Sequence, residues 1–167
     1  GVRPGDELAS IGSMKTSDAL DVAFALGWLD DRAPWRFTRD GRVIDVELPL
    51  EDPAACGIEF EPDRARVCPN NCVFCFVDQL PPGLRRTLYV KDEDFRLSFT
   101  CGNYITLTNL DEEAYRRIER QRLSPLYISV HASDDDVRRM LLGNPGAPPI
   151  MPSLRRLAEA GIRLHCQ

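Results

Sequence analysis

Cys68-Pro69-Asn70-Asn71-Cys72-Val73-Phe74-Cys75 decides the reading of this chain, because it places three thiols on one short stretch. Thiolates are soft ligands that select zinc, copper(I) or iron–sulfur clusters over hard cations. Structural zinc sites take four ligands, typically as two separated pairs. Three cysteines on one tight loop suit instead three iron corners of a cubane cluster, and they leave the fourth iron without a protein ligand from this loop. An open corner is a place for substrate or cofactor chemistry, by the logic that separates catalytic from structural zinc sites. Disulfides across gaps this short would close very small loops and stabilise little. The other thiols, Cys56, Cys101 and Cys166, stand apart. With no basic-then-apolar leader after Gly1, clustered thiols read as ligands in a reducing compartment, and the cytoplasm is the expected location.

Outward from the cysteines toward the C-terminus, strands alternate with helices from about Glu61. A short strand at Arg64–Val67 is expected to run into the loop. Leu97–Leu107 reads as a strand interrupted at Gly102-Asn103. Asn109 and Glu112 have capping-box spacing, which predicts a helix to about Arg122 with Tyr115 and Ile118 inward, stopped by Ser124-Pro125. Leu126–Val130 reads as a strand. Ser133 and Asp136 cap a helix containing Val137, Met140 and Leu141, and Gly143-Asn144-Pro145 with Pro148-Pro149 form a loop. A helix near Pro152–Ala160 ends at Gly161, and Ile162–Cys166 begins one more strand. Repeated strand–helix–strand units imply a parallel sheet. Residues 61–167 are fewer than half of the roughly 250 of a complete β/α barrel, so the chain reads as cut at both ends.

Outward toward the N-terminus the pattern is different. Gly1–Leu8 is a turn leading into a short strand near Leu8–Ile11. Thr16 or Ser17 caps a helix from about Asp18 to Leu29, with Leu20, Ala23, Phe24 and Gly27 as its inner stripe. Trp35–Arg39 and Arg42–Leu48 flank Asp40-Gly41, a dipeptide preferred in two-residue hairpin turns because both positions need positive φ. Val43, Asp45 and Glu47 alternate with Ile44, Val46 and Leu48 along the second strand. Asp52-Pro53 ends the unit.

Charge follows the same division. Of a formal −5 over 167 residues, residues 1–60 carry −6 and residues 61–167 carry +1, which fits two units better than one uniform domain. The net negative charge gives no footprint for nucleic acid. No apolar run approaches the roughly 18 residues of a spanning helix, so no membrane partner is expected. Basic charge comes from 19 Arg and two Lys, read as gene composition rather than function.

The spacing of Cys68, Cys72 and Cys75, with the aromatic Phe74 before the last, resembles the signature of the radical SAM superfamily. The wider stretch Cys-Val-Phe-Cys-Phe-Val-Asp-Gln-Leu through Ser-Phe-Thr-Cys-Gly-Asn-Tyr-Ile-Thr-Leu-Thr-Asn-Leu is similar to an uncharacterised bacterial branch of it. That branch carries a PDZ-like domain before the barrel and a domain of unknown function after it. The first unit's strand–helix–hairpin order resembles the later part of a PDZ domain, without the carboxylate-binding loop that comes earlier in that fold. The resemblance implies an α/β fold: a partial, truncated β/α radical SAM barrel over 61–167, preceded by a small, incomplete PDZ-like β-rich domain over 1–55. It implies that Cys68, Cys72 and Cys75 bind a [4Fe–4S] cluster whose open iron chelates S-adenosylmethionine. One electron then cleaves the sulfonium bond to give methionine and a 5′-deoxyadenosyl radical that abstracts hydrogen from a substrate.

The same resemblance places the backbone around Phe74 near the adenine. Gly102-Asn103 falls where the family often has a Gly-Gly-Glu motif facing the methionine amino group. It implies an external electron donor such as flavodoxin or ferredoxin, and leaves the substrate unassigned, a peptide or protein being one class that a PDZ-like unit would present. His131 ends the Leu126–Val130 strand, where barrel active sites form, and Ser129 is one pleat back on the same face; both are candidates for cofactor contact. Arg85 and Arg86 are candidates to offset cluster charge. Cys101 reads as an inert buried thiol in a strand, Asp92-Glu93-Asp94 as a solvated loop, and Asp134-Asp135-Asp136 as a helix N-terminus. Two other classes stay open. One is a non-catalytic zinc or iron–sulfur module with Cys101 or His131 as fourth ligand, and the other is a PDZ-type peptide-binding scaffold.

Overall fold

The computed structural model describes residues 1–29, 32–49, 57–61 and 64–167. It divides into two compact units, Gly1–Asp63 and Arg64–Gln167. Asp52-Pro53, Cys56 and the end of the expected 1–55 domain lie outside the described residues.

The first unit is a four-stranded antiparallel sheet with one helix. Its elements are β1 (Glu7–Ile11), β2 (Met14–Lys15), α1 (Ala19–Trp28), β3 (Arg32–Arg39) and β4 (Arg42–Pro49), with sheet order β2-β1-β3-β4. β3 and β4 pair without a break from Arg32↔Pro49 to Arg39↔Arg42. The turn between them has φ of 49° at Asp40 and 74° at Gly41, the double positive φ that Asp-Gly tolerates. Trp35, Phe37, Ile11, Val22, Ala25 and Ala33 form the buried core. Val43 is exposed while Ile44 and Leu48 are partly buried, the period of two expected of a half-buried strand.

The phase of α1 differs from the expected stripe. Asp21, Val22 and Ala25 are buried, Ala23 and Gly27 are exposed, and Phe24 stacks on Trp28, itself exposed. Seven of the first eight helix residues are Ala, Leu, Val or Phe, so hydrophobicity marks no single face. The phase is set instead at the cap: Asp18 accepts from the Asp21 N–H, and buried Asp21 accepts from the Ser17 N–H and hydroxyl. The cap is thus Asp18 rather than Thr16 or Ser17.

The second unit follows with a 3-10 turn (Arg86–Tyr89), α2 (Phe95–Cys101), β5 (Tyr104–Ile105), α3 (Glu112–Gln121), β6 (Leu126–Ile128), α4 (Asp135–Leu142), α5 (Ile150–Glu159) and β7 (Leu164–Cys166). β5, β6 and β7 form a parallel sheet in chain order, joined by α3 and then by α4 and α5. This is strand–helix–strand architecture in three strands, without barrel closure. Ile105, Leu126 and Ile128 of the sheet are buried, as are Ala114 and Ile118 of α3, Leu142 of α4, and Ile150 and Leu157 of α5. Burying side chains of this size contributes about 1.5–3 kcal/mol each. Arg156 of α5 lies over the Tyr115 ring and pairs with Glu112 and Glu119, tying α5 to α3. Among the described residues no helix is long and apolar enough to cross a membrane.

Several local expectations are corrected. Residues 97–101 are helical, because Asp94 caps α2 and Gly102, at φ 77°, ends it in the left-handed conformation. Only Tyr104–Ile105 of the expected 97–107 strand is strand. Arg64–Val67 reduces to one bridge, Val67↔Asp92. β6 stops at Ile128, two residues early. α5 starts at Ile150, before Pro152, which sits in its first turn where a missing N–H costs nothing. α4 is capped by Asp134 rather than Ser133. α3 begins at Glu112 because Asp111, rather than Asn109, accepts from the Ala114 N–H; the Asn109 side chain donates instead to the Glu93 carbonyl.

Removing that cap is expected to destabilise the second unit. Asp111→Ala should cost about 0.5–2 kcal/mol in urea unfolding of the full chain. A variant as stable as the parent would contradict the cap assignment.

Candidate metal centre

The cysteine loop is held by backbone bonds on both sides. Cys68 N–H donates to the Lys91 carbonyl and Glu93 N–H to the Arg66 carbonyl, both at 2.8 Å. Farther along, Asn71 N–H donates to Leu142 O at 2.9 Å and Val73 N–H to Leu141 O at 3.1 Å. The loop therefore rests on the last turn of α4, whose carbonyls have no intrahelical partner. Gly143 makes this approach possible. It ends α4 at φ 56°, and a Cβ there would lie 2.2 Å from the Asn71 carbonyl oxygen.

Beneath the loop is a buried polar network. Asn70, 4% exposed, donates from Nδ2 to Thr106 Oγ1 at 2.8 Å and Thr108 Oγ1 at 3.0 Å, and accepts at Oδ1 from Asn144 Nδ2 at 2.7 Å. Glu93 accepts from both the N–H and the hydroxyl of Thr106. Burial pushes its carboxyl above the usual range, against the bonds from Thr106. Arg138 is 1% exposed and spends its guanidinium on three backbone carbonyls, Val130, Pro148 and Thr106. It thereby fastens the ends of β5 and β6 to the loop before α5. Leu107 and His131, just beyond these two strands, have φ of 60° and 63°, so both strands break off into left-handed turns at the same end of the sheet. In parallel α/β sheets that carboxyl end is where ligand sites form.

The thiols are half-buried and unpaired with one another. Burial pushes the Cys68 and Cys72 thiols up, while the Asn70 amides pull Cys68 and Lys91 pulls Cys72 the other way. Lys91 is a cation at this loop, with Nζ 3.3 Å from the Asn70 carbonyl and 2.7 Å from Asp78. Arg85 and Arg86, the expected cations, are exposed on the segment around the 3-10 turn. Among the described residues no group of three or more His, Cys, Asp or Glu side chains converges to hold a metal ion as it stands.

The other candidate residues separate into two places. Phe74 lies at the loop, with its ring centroid 4.5 Å from that of His131. Burial, with Arg138 nearby, holds the His131 imidazole below its ordinary pKa. His131 does not share a pleat with Ser129, because β6 has ended and His131 is left-handed; Ser129 is buried and donates its N–H to Ile105 O. Gly102 and Asn103 precede β5 rather than follow a strand. Gly102 is the α2 cap, and Asn103 donates to Asp92. They thus stand at the amino end of the strand whose carboxyl end meets the loop. Cys101 is exposed at the end of a helix rather than buried in a strand. Glu93 and Asp94 are buried rather than solvated. Burial opposes ionisation of Asp94, but bonds from Arg96 and from the Arg66 N–H outweigh it and keep the carboxyl below its usual range. Asp134 does start a helix, as its run of acids predicts.

Asn70, Lys91, Thr106, Thr108, Arg138 and Asn144 were not singled out by the sequence, and Glu93 was read only as part of a solvated loop. The alternation Thr106-Leu107-Thr108 after a short strand was the available signal for two hydroxyls on one side. Arg138 carried none, since carbonyl partners leave no trace in a sequence.

A family model described as a radical SAM-like domain matches residues 51–167. No curated protein and no solved structure matches the chain.

Gly143→Ala tests the seating of the loop. It should lower stability to urea by about 1–3 kcal/mol, through the clash with Asn71 and the left-handed backbone. An unchanged midpoint would contradict the contact.

Proposed function

The chain belongs to the radical SAM-like domain family, and from that premise we propose that it is a radical enzyme whose Cys68, Cys72 and Cys75 hold a [4Fe–4S] cluster. The supporting observation is the donor set. Three soft, half-buried thiols lie on one loop, with amide N–H groups directed at Cys68 and the Lys91 ammonium beside them. Such surroundings suit anionic thiolates bound to iron. Three cysteines would hold three irons and leave the fourth open to S-adenosylmethionine. When bound, the cluster supplies the electron that splits the sulfonium bond into methionine and a 5′-deoxyadenosyl radical.

The chain's own residues hold and shape the site. Asn71 and Val73 fix the middle of the loop on α4, and Cys68 and Glu93 fix its start. Arg138 keeps the carboxyl ends of β5 and β6 together beneath it. The backbone around Phe74 is assigned to the adenine side; the exposed Phe74 side chain, with its ring centroid 4.5 Å from that of His131, brings His131 to the same place. Burial, with Arg138 nearby, lowers the His131 pKa and so favours the uncharged imidazole beside a sulfonium. Ser129 is too buried to serve as a first contact. Gly102 and Asn103 are left out of the cofactor set because they lie at the other end of β5. The electron comes from an external donor of the flavodoxin or ferredoxin kind. Hydrogen is taken from a substrate that stays unassigned.

The full chain, reconstituted anaerobically with iron and sulfide, should form 5′-deoxyadenosine from S-adenosylmethionine and dithionite. Cys72→Ala should reduce product to background. Equal product from parent and variant would overturn the reading.

A further inference from the structure

We propose that Asn70 is a positioning residue that sets the reduction potential of the cluster by donating an N–H to the sulfur of Cys68. The inference rests on the reading of the loop as a cluster site.

The orientation of the Asn70 carboxamide is fixed by its partners. Its Oδ1 faces the Nδ2 of Asn144 at 2.7 Å, a group that can only donate. Its Nδ2 therefore faces Thr106 Oγ1 at 2.8 Å, Thr108 Oγ1 at 3.0 Å and Cys68 Sγ at 3.5 Å. An amide nitrogen has two hydrogens, so three acceptors compete for them.

The hydroxyls decide the division. The Thr106 hydroxyl lies 2.9 Å from Glu93 Oε1 and donates to that carboxylate. In the Thr106–Thr108 contact at 2.8 Å, Thr108 is then the donor. Thr106 Oγ1 accepts from Thr108 and from Asn70, which uses both its lone pairs. One Asn70 hydrogen goes to Thr106, and the second is shared between Thr108 and the Cys68 sulfur. Asn70 is 4% exposed, so that hydrogen is shielded from bulk water.

A hydrogen bond to a cluster thiolate draws electron density from sulfur and stabilises the reduced, more negative state, raising the potential. The network thus makes two opposite predictions. Asn70→Leu removes the donor at similar volume and should lower the midpoint potential, by up to about 59 mV, a tenfold change in a one-electron equilibrium. Thr108→Val removes the competing acceptor, commits the second hydrogen to Cys68, and should raise it. A role confined to packing moves both variants the same way or neither.

The test is a spectroscopic redox titration of the reconstituted full chain, with iron counted in each sample. The expected result is iron content equal to the parent in both variants, with a lower midpoint in Asn70→Leu and a higher one in Thr108→Val. Equal iron with an unshifted midpoint in Asn70→Leu would overturn the inference while leaving the cluster reading intact. Should Asn70→Leu fail to hold iron, Thr108→Val decides alone, and an unshifted or lowered midpoint there overturns it. A parent chain without an iron–sulfur cluster removes the underlying reading, and the inference with it.

Discussion

Everything proposed for the second unit depends on the seating of one loop against the end of one helix. Asn71 and Val73 donate their backbone N–H groups to the carbonyls of Leu142 and Leu141. These acceptors exist because a helix leaves its last carbonyls without partners. They are within reach because Gly143 has no side chain where the Asn71 carbonyl comes close. Three thiols on a free loop would sample many arrangements, and ordering them on metal binding would cost conformational entropy. Fastened at both sides, the loop has lost most of that freedom already.

Beneath the loop, buried polar groups are arranged so that nearly every partner is committed. Arg138 is charged and buried, a combination that costs several kcal/mol unless the group is well hydrogen-bonded. Its three carbonyl partners come from three different segments, so the compensation doubles as a tie between strand ends. Glu93 plays the matching part for Thr106, and Thr106 in turn for Asn70. Low surrounding dielectric strengthens these bonds and raises the cost of breaking any one of them. The same reasoning explains why the loop and the ends of β5 and β6 belong to one site despite wide separation along the chain.

Legibility in the sequence followed the physics of each element. The cysteine spacing was readable because ligand chemistry restricts residue type, and the first hairpin because Asp40-Gly41 satisfies a backbone requirement that few pairs meet. The parallel β–α repeat was readable from strand and helix alternation. By contrast, α1 carried apolar residues on all sides, and its phase came from Asp18 and Asp21. Phe99 and Thr100 favour a strand by type, yet Asp94 and Gly102 bracket a helix, a pair of end signals that outweighs weak propensities. Asp92-Glu93-Asp94 looked like a solvated run because a sequence does not show that Arg96, Arg66 and Thr106 converge on it. Phe74 and His131, both singled out from the sequence, meet through a left-handed turn at His131 that no local pattern announced.

The central claim is that the three cysteines hold an iron–sulfur cluster rather than a structural metal. Counting iron, acid-labile sulfide and zinc on the anaerobically reconstituted full chain, offered all three, tests it most directly. The account predicts about four irons and as many sulfides per chain, with little zinc, as a cubane requires. One zinc per chain with no labile sulfide would contradict it, and would make the loop part of a structural zinc site.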